Sequence, residues 1–160
     1  ITHVPRNGGL VNPAAEVGEV AYRHGILYLL DACQSAGQMP LDVQTLGCDF
    51  LSFAGRKYLR GPRGTGALYV RRSVLERLTP WVLDNRSAEW VDHDRYELSR
   101  GSIRFETFAH SVAARLGLGA AADSAMLWGL EAHETRAPAA AAHLGGVHRA
   151  PPGVAVRGPG

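Results

Sequence analysis

The chain has 160 residues, 46% hydrophobic and 20% charged, with a formal net charge of +2. That apolar fraction argues against a disordered polymer, and no apolar run is long enough to cross a membrane as a helix. So small a charge, spread along the chain, makes no basic stripe for nucleic acid. The two cysteines, Cys33 and Cys48, are too few for a disulfide scaffold and lack metal-ligand spacing, so reduced thiols in a cytoplasmic protein are expected. Sixteen arginines accompany a single lysine, Lys57, a bias that GC-rich codons would produce.

Residues 1–4 read as the end of a buried strand, and a turn follows at Asn7-Gly8-Gly9. The chain opens inside this run, with no leader, and is expected to be a fragment. Asn12 before Pro13 is an N-cap followed by proline at the first helical position. Ala14, Val17, Val20 and Ala21 continue in helical period until Gly25 stops the helix. Residues 26–30, I-L-Y-L-L, have the length and composition of a fully buried parallel strand, so the region forms a βαβ unit. Asp31 ends that strand. A second strand is expected at 49–53 and a third at 67–70, separated by Lys57 and the stretch R-G-P-R-G-T-G.

Residues 74–78 suggest a short helix, and the polar, mixed-sign segment 84–102 a long loop or lid. From 111 to 130 apolar residues recur at helical spacing (Val112, Leu116, Leu118, Ala122, Ala125, Met126), predicting a helix packed on the sheet. Gly117 and Gly119 point to a close helix approach. Residues 131–150 begin with helical spacing, but Pro138 and Gly145-Gly146 interrupt it, and proline costs about 3 kcal/mol in a helix interior. Pro151-Pro152-Gly153 reads as a linker.

Asp31 and Lys57 fall at the ends of successive predicted strands, where open α/β sheets bind ligands. A carboxylate and an amine converging there are two parts of a pyridoxal phosphate (PLP) site. The amine forms a Schiff base with the cofactor aldehyde, and the carboxylate keeps the pyridine nitrogen protonated so that the ring accepts electrons. Taken singly, an aspartate after a strand is more often a turn former and a lysine a solvated charge. The joint pattern D-A-C-Q and G-R-K-Y-L-R-G-P-R-G-T-G on adjacent βα units is more specific.

These segments resemble a known family. T-H-V…N-P-A-A-E, L-L-D-A-C-Q, C-D-F-L-S-F-A-G-R-K, G-P-R-G-T-G-A-L-Y-V and R-F-E-T…L-G-L-G-A-A are similar to the PLP-dependent class V aminotransferases and cysteine desulfurases, from Ile1 to about Gly129. The resemblance implies an α/β fold with a mostly parallel sheet flanked by helices, part of a fold-type I large domain. Residues 1–150 would be the C-terminal portion of that domain, and 151–160 a linker into a small domain. It also implies a homodimer and an amino-acid substrate, with no nucleic-acid or membrane partner. Lys57 would be the Schiff-base lysine, Asp31 the partner of the pyridine nitrogen, and Gln34 a donor near the phenolic oxygen. Cys33 would pack on the ring face, and Gly61, Gly64 and Gly66 would let the chain turn away from Lys57.

Four positions depart from the family pattern. Ala54 replaces a phosphate-binding hydroxyl residue, and Arg56 replaces a histidine but can still bind phosphate as a charge-assisted donor. Arg6 stands where relatives carry Asn or Thr, and Ala109 where desulfurases carry a threonine that reaches the partner's phosphate. A lost hydroxyl contact is worth about 1 kcal/mol. The family's phosphate loop, ring-stacking residue and carboxylate-binding arginine have no counterpart in these residues.

Other candidates are weaker. The G-P-R-G-T-G stretch lacks the G-x-x-x-x-G-K spacing of a P-loop. His143 and His148 are poorly spaced for a metal, His93 within V-D-H-D reads as solvated loop, and Trp81, Trp90 and Trp128 as core or interface anchors. The sequence therefore points to a PLP enzyme acting through Lys57 in amino transfer, C–S cleavage or epimerisation. The alternative is an inactive fragment serving at most as a dimerisation or weak ligand-binding module.

Overall fold

A computed structural model describes residues 1–7 and 9–149; the predicted linker at 151–160 lies outside them. Helix α1 (Ala14–Arg23) leads into strand β1 (Leu29–Asp31), followed by β2 (Phe50–Ala54), β3 (Gly66–Val70) and the single turn α2 (Arg72–Leu75). Thr2 bridges Asp31 in parallel, β1 pairs β2 in parallel, and β3 returns antiparallel to β2. The architecture is α/β, as expected, and β3 is the antiparallel member of a sheet expected to be mostly parallel.

Helix α1 puts Ala14, Gly18 and Ala21 against the sheet at three- to four-residue spacing. There they meet Tyr28, Leu30, Ala32, Cys48 and Leu51, with Val17, Phe53 and Tyr69 packed around them. A side chain at Gly18 would run into the Leu46 carbonyl, so the absence of one lets α1 approach the loop before β2. Gly25, at φ +64°, ends the helix as predicted. The cap differs from expectation: Pro13 is the N-cap residue, with no side-chain hydrogen bond, because the Asn12 amide instead donates to the Thr2 carbonyl (2.7 Å).

The apolar run 26–30 is not fully buried. Leu30 is completely buried in the core that α1 covers, whereas Leu29, on the opposite sheet face, is 46% exposed. The segment 84–102 is no simple loop. It folds into an antiparallel hairpin, β4 (Ala88–Asp92) and β5 (Arg95–Leu98), with Trp90 and Tyr96 edge to face at 6.2 Å. Asp92-His93-Asp94 makes its exposed tip. A 3-10 turn (Gly101–Phe105) follows.

Helix α3 (Val112–Trp128) forms as predicted, capped by the Ser111 hydroxyl, which accepts from the Ala114 amide (3.2 Å). It packs less completely than its pattern promised: Ala125 is buried, but Val112, Leu116 and Met126 are exposed. Gly117 does lie close to a neighbour, the Pro62 ring, while Gly119 faces open space. Helix α4 (Leu130–Arg149) runs straight through Pro138, whose missing amide and ring sit on an exposed stretch flanked by alanines, the strongest helix formers. Trp81, Trp90 and Trp128 are all exposed rather than core residues.

Candidate active site

The half-buried Asp31 ends β1. Its backbone is held on both sides: its amide donates to the Ile1 carbonyl (2.8 Å), and its carbonyl accepts from the His3 amide (2.9 Å). The chain then tightens, and the Cys33 amide donates to the Asp31 carboxylate at 2.9 Å. Burial alone would raise the Asp31 pKa. Hydrogen bonds from the Cys33 backbone and side chain, the Lys57 charge and the Thr2 hydroxyl outweigh it, and hold the carboxyl below its ordinary value of 3.8. Asp31 is therefore an anion at neutral pH.

Cys33 lies between Asp31, the Ala54 amide and Lys57. Burial and the neighbouring Asp31 push its thiol up, so it stays protonated, as suits a packing residue better than a nucleophile. Beyond it Ser35 is completely buried and meets Nδ1 of the buried His3 at 3.0 Å, which ties the first strand to the turn after β1. Burial lowers the His3 pKa. Gln34 sits half-buried in the same turn, with its carbonyl accepting from the Gln38 side chain.

Lys57 reaches this place on a loop folded back on itself. The Gly55 amide donates to the Thr65 carbonyl, the Gly61 amide to the Gly55 carbonyl, and the Arg60 amide to the Lys57 carbonyl, each at 2.8 Å. A Cβ at Gly55 would collide with the Thr65 hydroxyl and, at 2.6 Å, with Leu118 of α3, so α3 packs onto the base of the lysine loop. Of the three glycines expected to turn the chain, only Gly64 is left-handed, at φ +79° in open space; Gly66 opens β3 close against the Phe53 carbonyl, and Gly61 lies against the Gly55 carbonyl. Arg60 adopts φ +62° as well, an uncommon conformation for a non-glycine residue.

A second close approach joins the two halves of the site. Gly37 has φ +90°, and a Cβ there would lie 2.7 Å from the Tyr58 carbonyl carbon and the Leu59 nitrogen. The turn carrying Cys33 and Gln34 thus rests directly on the backbone that follows Lys57. The Gly37 carbonyl also meets His133 of α4 (3.0 Å). Sequence reasoning missed Gly37, Gly55, Arg60, Thr2 and the His3–Ser35 pair, because each acts through a partner remote in sequence.

The structure brings together Asp31, Cys33 and Lys57, with Gln34 in the adjoining turn. Arg56 beside Lys57 is exposed and forms no ion pair among the described residues. A groove of about 720 Å³ adjoins the site, lined by Arg6, Gln34, Gln38, Tyr58 and, from α4, Glu134. A separate groove of about 750 Å³ lies at the opposite end of the sheet, beside the Asp49–Arg71 ion pair (3.3 Å). The donor set at Asp31 and Lys57, an ionised carboxylate beside a primary amine, fits a cofactor with a basic ring nitrogen and an aldehyde.

The model of the family described as aminotransferase class-V matches residues 1–159. The probable cysteine desulfurase of Halalkalibacterium halodurans is 39% identical over 123 residues, covering 77% of this chain and 30% of that protein. That of Xylella fastidiosa is 35% identical over 144 residues, covering 90% of this chain and 34% of the relative. Among solved structures, the apo cysteine desulfurase from Thermococcus onnurineus superposes with a TM-score of 0.77 at 33% identity, over 81% of this chain and 32% of that one. A C-DES mutant with Gly covalently linked to its PLP cofactor superposes with a TM-score of 0.76 at 31% identity, over 84% and 36%. The chain spans about a third of the length of the curated relatives it matches.

Proposed function

Because the chain belongs to the aminotransferase class-V family, we propose that it forms the cofactor-binding part of a PLP-dependent enzyme acting on an amino acid. The observation that carries this reading is the ionised Asp31 carboxylate placed within the field of Lys57, the single lysine of the chain. When bound, PLP supplies an electron-accepting ring and an aldehyde that takes amines.

Lys57 would hold the cofactor through its amine, and that amine, when free, would move a proton at the substrate carbon. Asp31 would supply the negative charge that keeps a ring nitrogen protonated. Gln34 would offer a side-chain amide to the phenolic oxygen, and the protonated Cys33 would serve as a packing residue. Arg56 would be the charge-assisted donor for the phosphate, without the hydroxyl contact that Ala54 cannot provide. Cysteine is the first substrate to try, since the relatives named above are cysteine desulfurases. A homodimer is part of the same proposal.

Titration of the chain with PLP tests this. A visible absorbance band that forms with wild type and not with Lys57→Ala is the expected result. Equal absorbance from both proteins, or none from either, overturns the assignment.

A further inference from the structure

The groove beside the site holds a cation that the functional reading has not used. Arg6, on the bend after the Thr2 bridge, lines this groove of about 720 Å³. The groove reaches both halves of the site, through Gln34 in the turn after Asp31 and through Tyr58, which follows Lys57. Neither Lys57 nor Arg56 lines it, so Arg6 is its cation among the described residues. No carboxylate among the described residues pairs with Arg6. Glu134 of α4 also lines the groove, yet it forms no salt bridge with Arg6. Gln38 is engaged on the Gln34 carbonyl, and Val11 and Met39 add apolar wall. A concave, partly apolar space with a few polar groups is the usual form of a small-molecule site.

We propose that Arg6 is the specificity-determining cation of this groove, donating its guanidinium fork to the carboxylate of an α-amino acid with an uncharged side chain. A guanidinium keeps its charge at any physiological pH, and its planar donors match the two oxygens of a carboxylate. One positive and one negative lining residue leave the groove without net charge, which suits a zwitterion better than a dianion. The inference rests on the PLP reading for the fate of the amino group, which would go to the cofactor, whereas the carboxylate contact belongs to the groove itself. Arg6 is exposed, so water and salt weaken the pair, and the contact is expected to change affinity about fivefold.

The test is a nitrogen-15 NMR titration of the arginine Nε–H signals in the cofactor-free chain, with L-cysteine and with cysteamine, the same molecule without its carboxylate. L-Cysteine is expected to shift the Arg6 signal saturably, and Arg6→Gln to bind it about fivefold more weakly. Arg6→Lys keeps the charge without the fork and is expected to fall between the two. Cysteamine is expected to bind wild type and Arg6→Gln alike. Because Arg6 is exposed, these substitutions disturb no packing, and circular dichroism confirms it. Equal L-cysteine affinity in wild type and Arg6→Gln overturns the proposal, as does a wild-type Arg6 signal that never saturates. L-Aspartate binding more tightly than L-cysteine overturns the uncharged side chain. Parallel PLP titrations separate the two readings. Arg6-dependent binding with no lysine-dependent absorbance supports Arg6 and rejects the cofactor, and the converse pair of results rejects Arg6 alone.

Discussion

Gly37→Ala should damage the molecule far more than an ordinary glycine substitution, for a reason visible in the contact between its two site loops. Alanine at φ +90° meets the left-handed penalty, about 1–2 kcal/mol. Its Cβ would also press on the Tyr58 and Leu59 backbone at 2.7 Å. Backbone cannot swing aside as a side-chain tip does, so overpacking adds about 1–3 kcal/mol. The expected total of about 2–5 kcal/mol is a large share of the stability of an ordinary domain, about 5–15 kcal/mol. Gly64→Ala is the internal control, with φ +79° and no atom within 4 Å of the added carbon; it should cost only the conformational part. Urea unfolding followed by circular dichroism gives both values, and the variant should also need more PLP to develop its absorbance. Equal destabilisation by the two substitutions would refute the claim that Gly37 seats the Gln34 turn on the Lys57 loop.

His3 and Asp31 should give acid sensitivity of distinct origin. Burial lowers the His3 pKa below 6.5, so the unfolded chain takes up that proton first. Stability should fall as pH drops through 6.5, and His3→Gln should flatten that part of a pH series of urea melts. Asp31, held below 3.8, contributes stability that is present above that pH and lost as pH falls towards its folded value; Asp31→Asn should remove this component. Ser111→Ala removes the cap of α3 and should cost about 0.5–2 kcal/mol in the same unfolding assay. Trp90→Ala breaks the edge-to-face pair with Tyr96, worth about 0.5–1.5 kcal/mol, and should speed amide exchange across β4 and β5.

The parts of the site written locally were legible in the sequence. Asp31 ends an apolar run and Lys57 follows another, and the register of β1 on β2 places those ends side by side. Glycine spacing after Lys57 announced the turn. Contacts between distant segments were not legible: Gly37 looks like any loop glycine until Tyr58 and Leu59 lie on it, and Thr2 like any strand threonine until the bridge pairs it with Asp31. Local preference also misled where context prevailed. Asn12 has the chemistry of a helix cap, yet its amide serves Thr2. Pro138 signals a break, yet α4 continues through it. The hairpin at residues 84–102 was hidden by exposure on both faces, because alternation marks a strand only when one face is buried.

The central claim is that Lys57 is the residue that takes the cofactor aldehyde. Borohydride reduction of the chain with PLP, followed by peptide mass spectrometry, reads this directly. The account predicts a pyridoxyl adduct on the peptide containing Lys57. An adduct confined to other peptides, or no adduct at all, would contradict it.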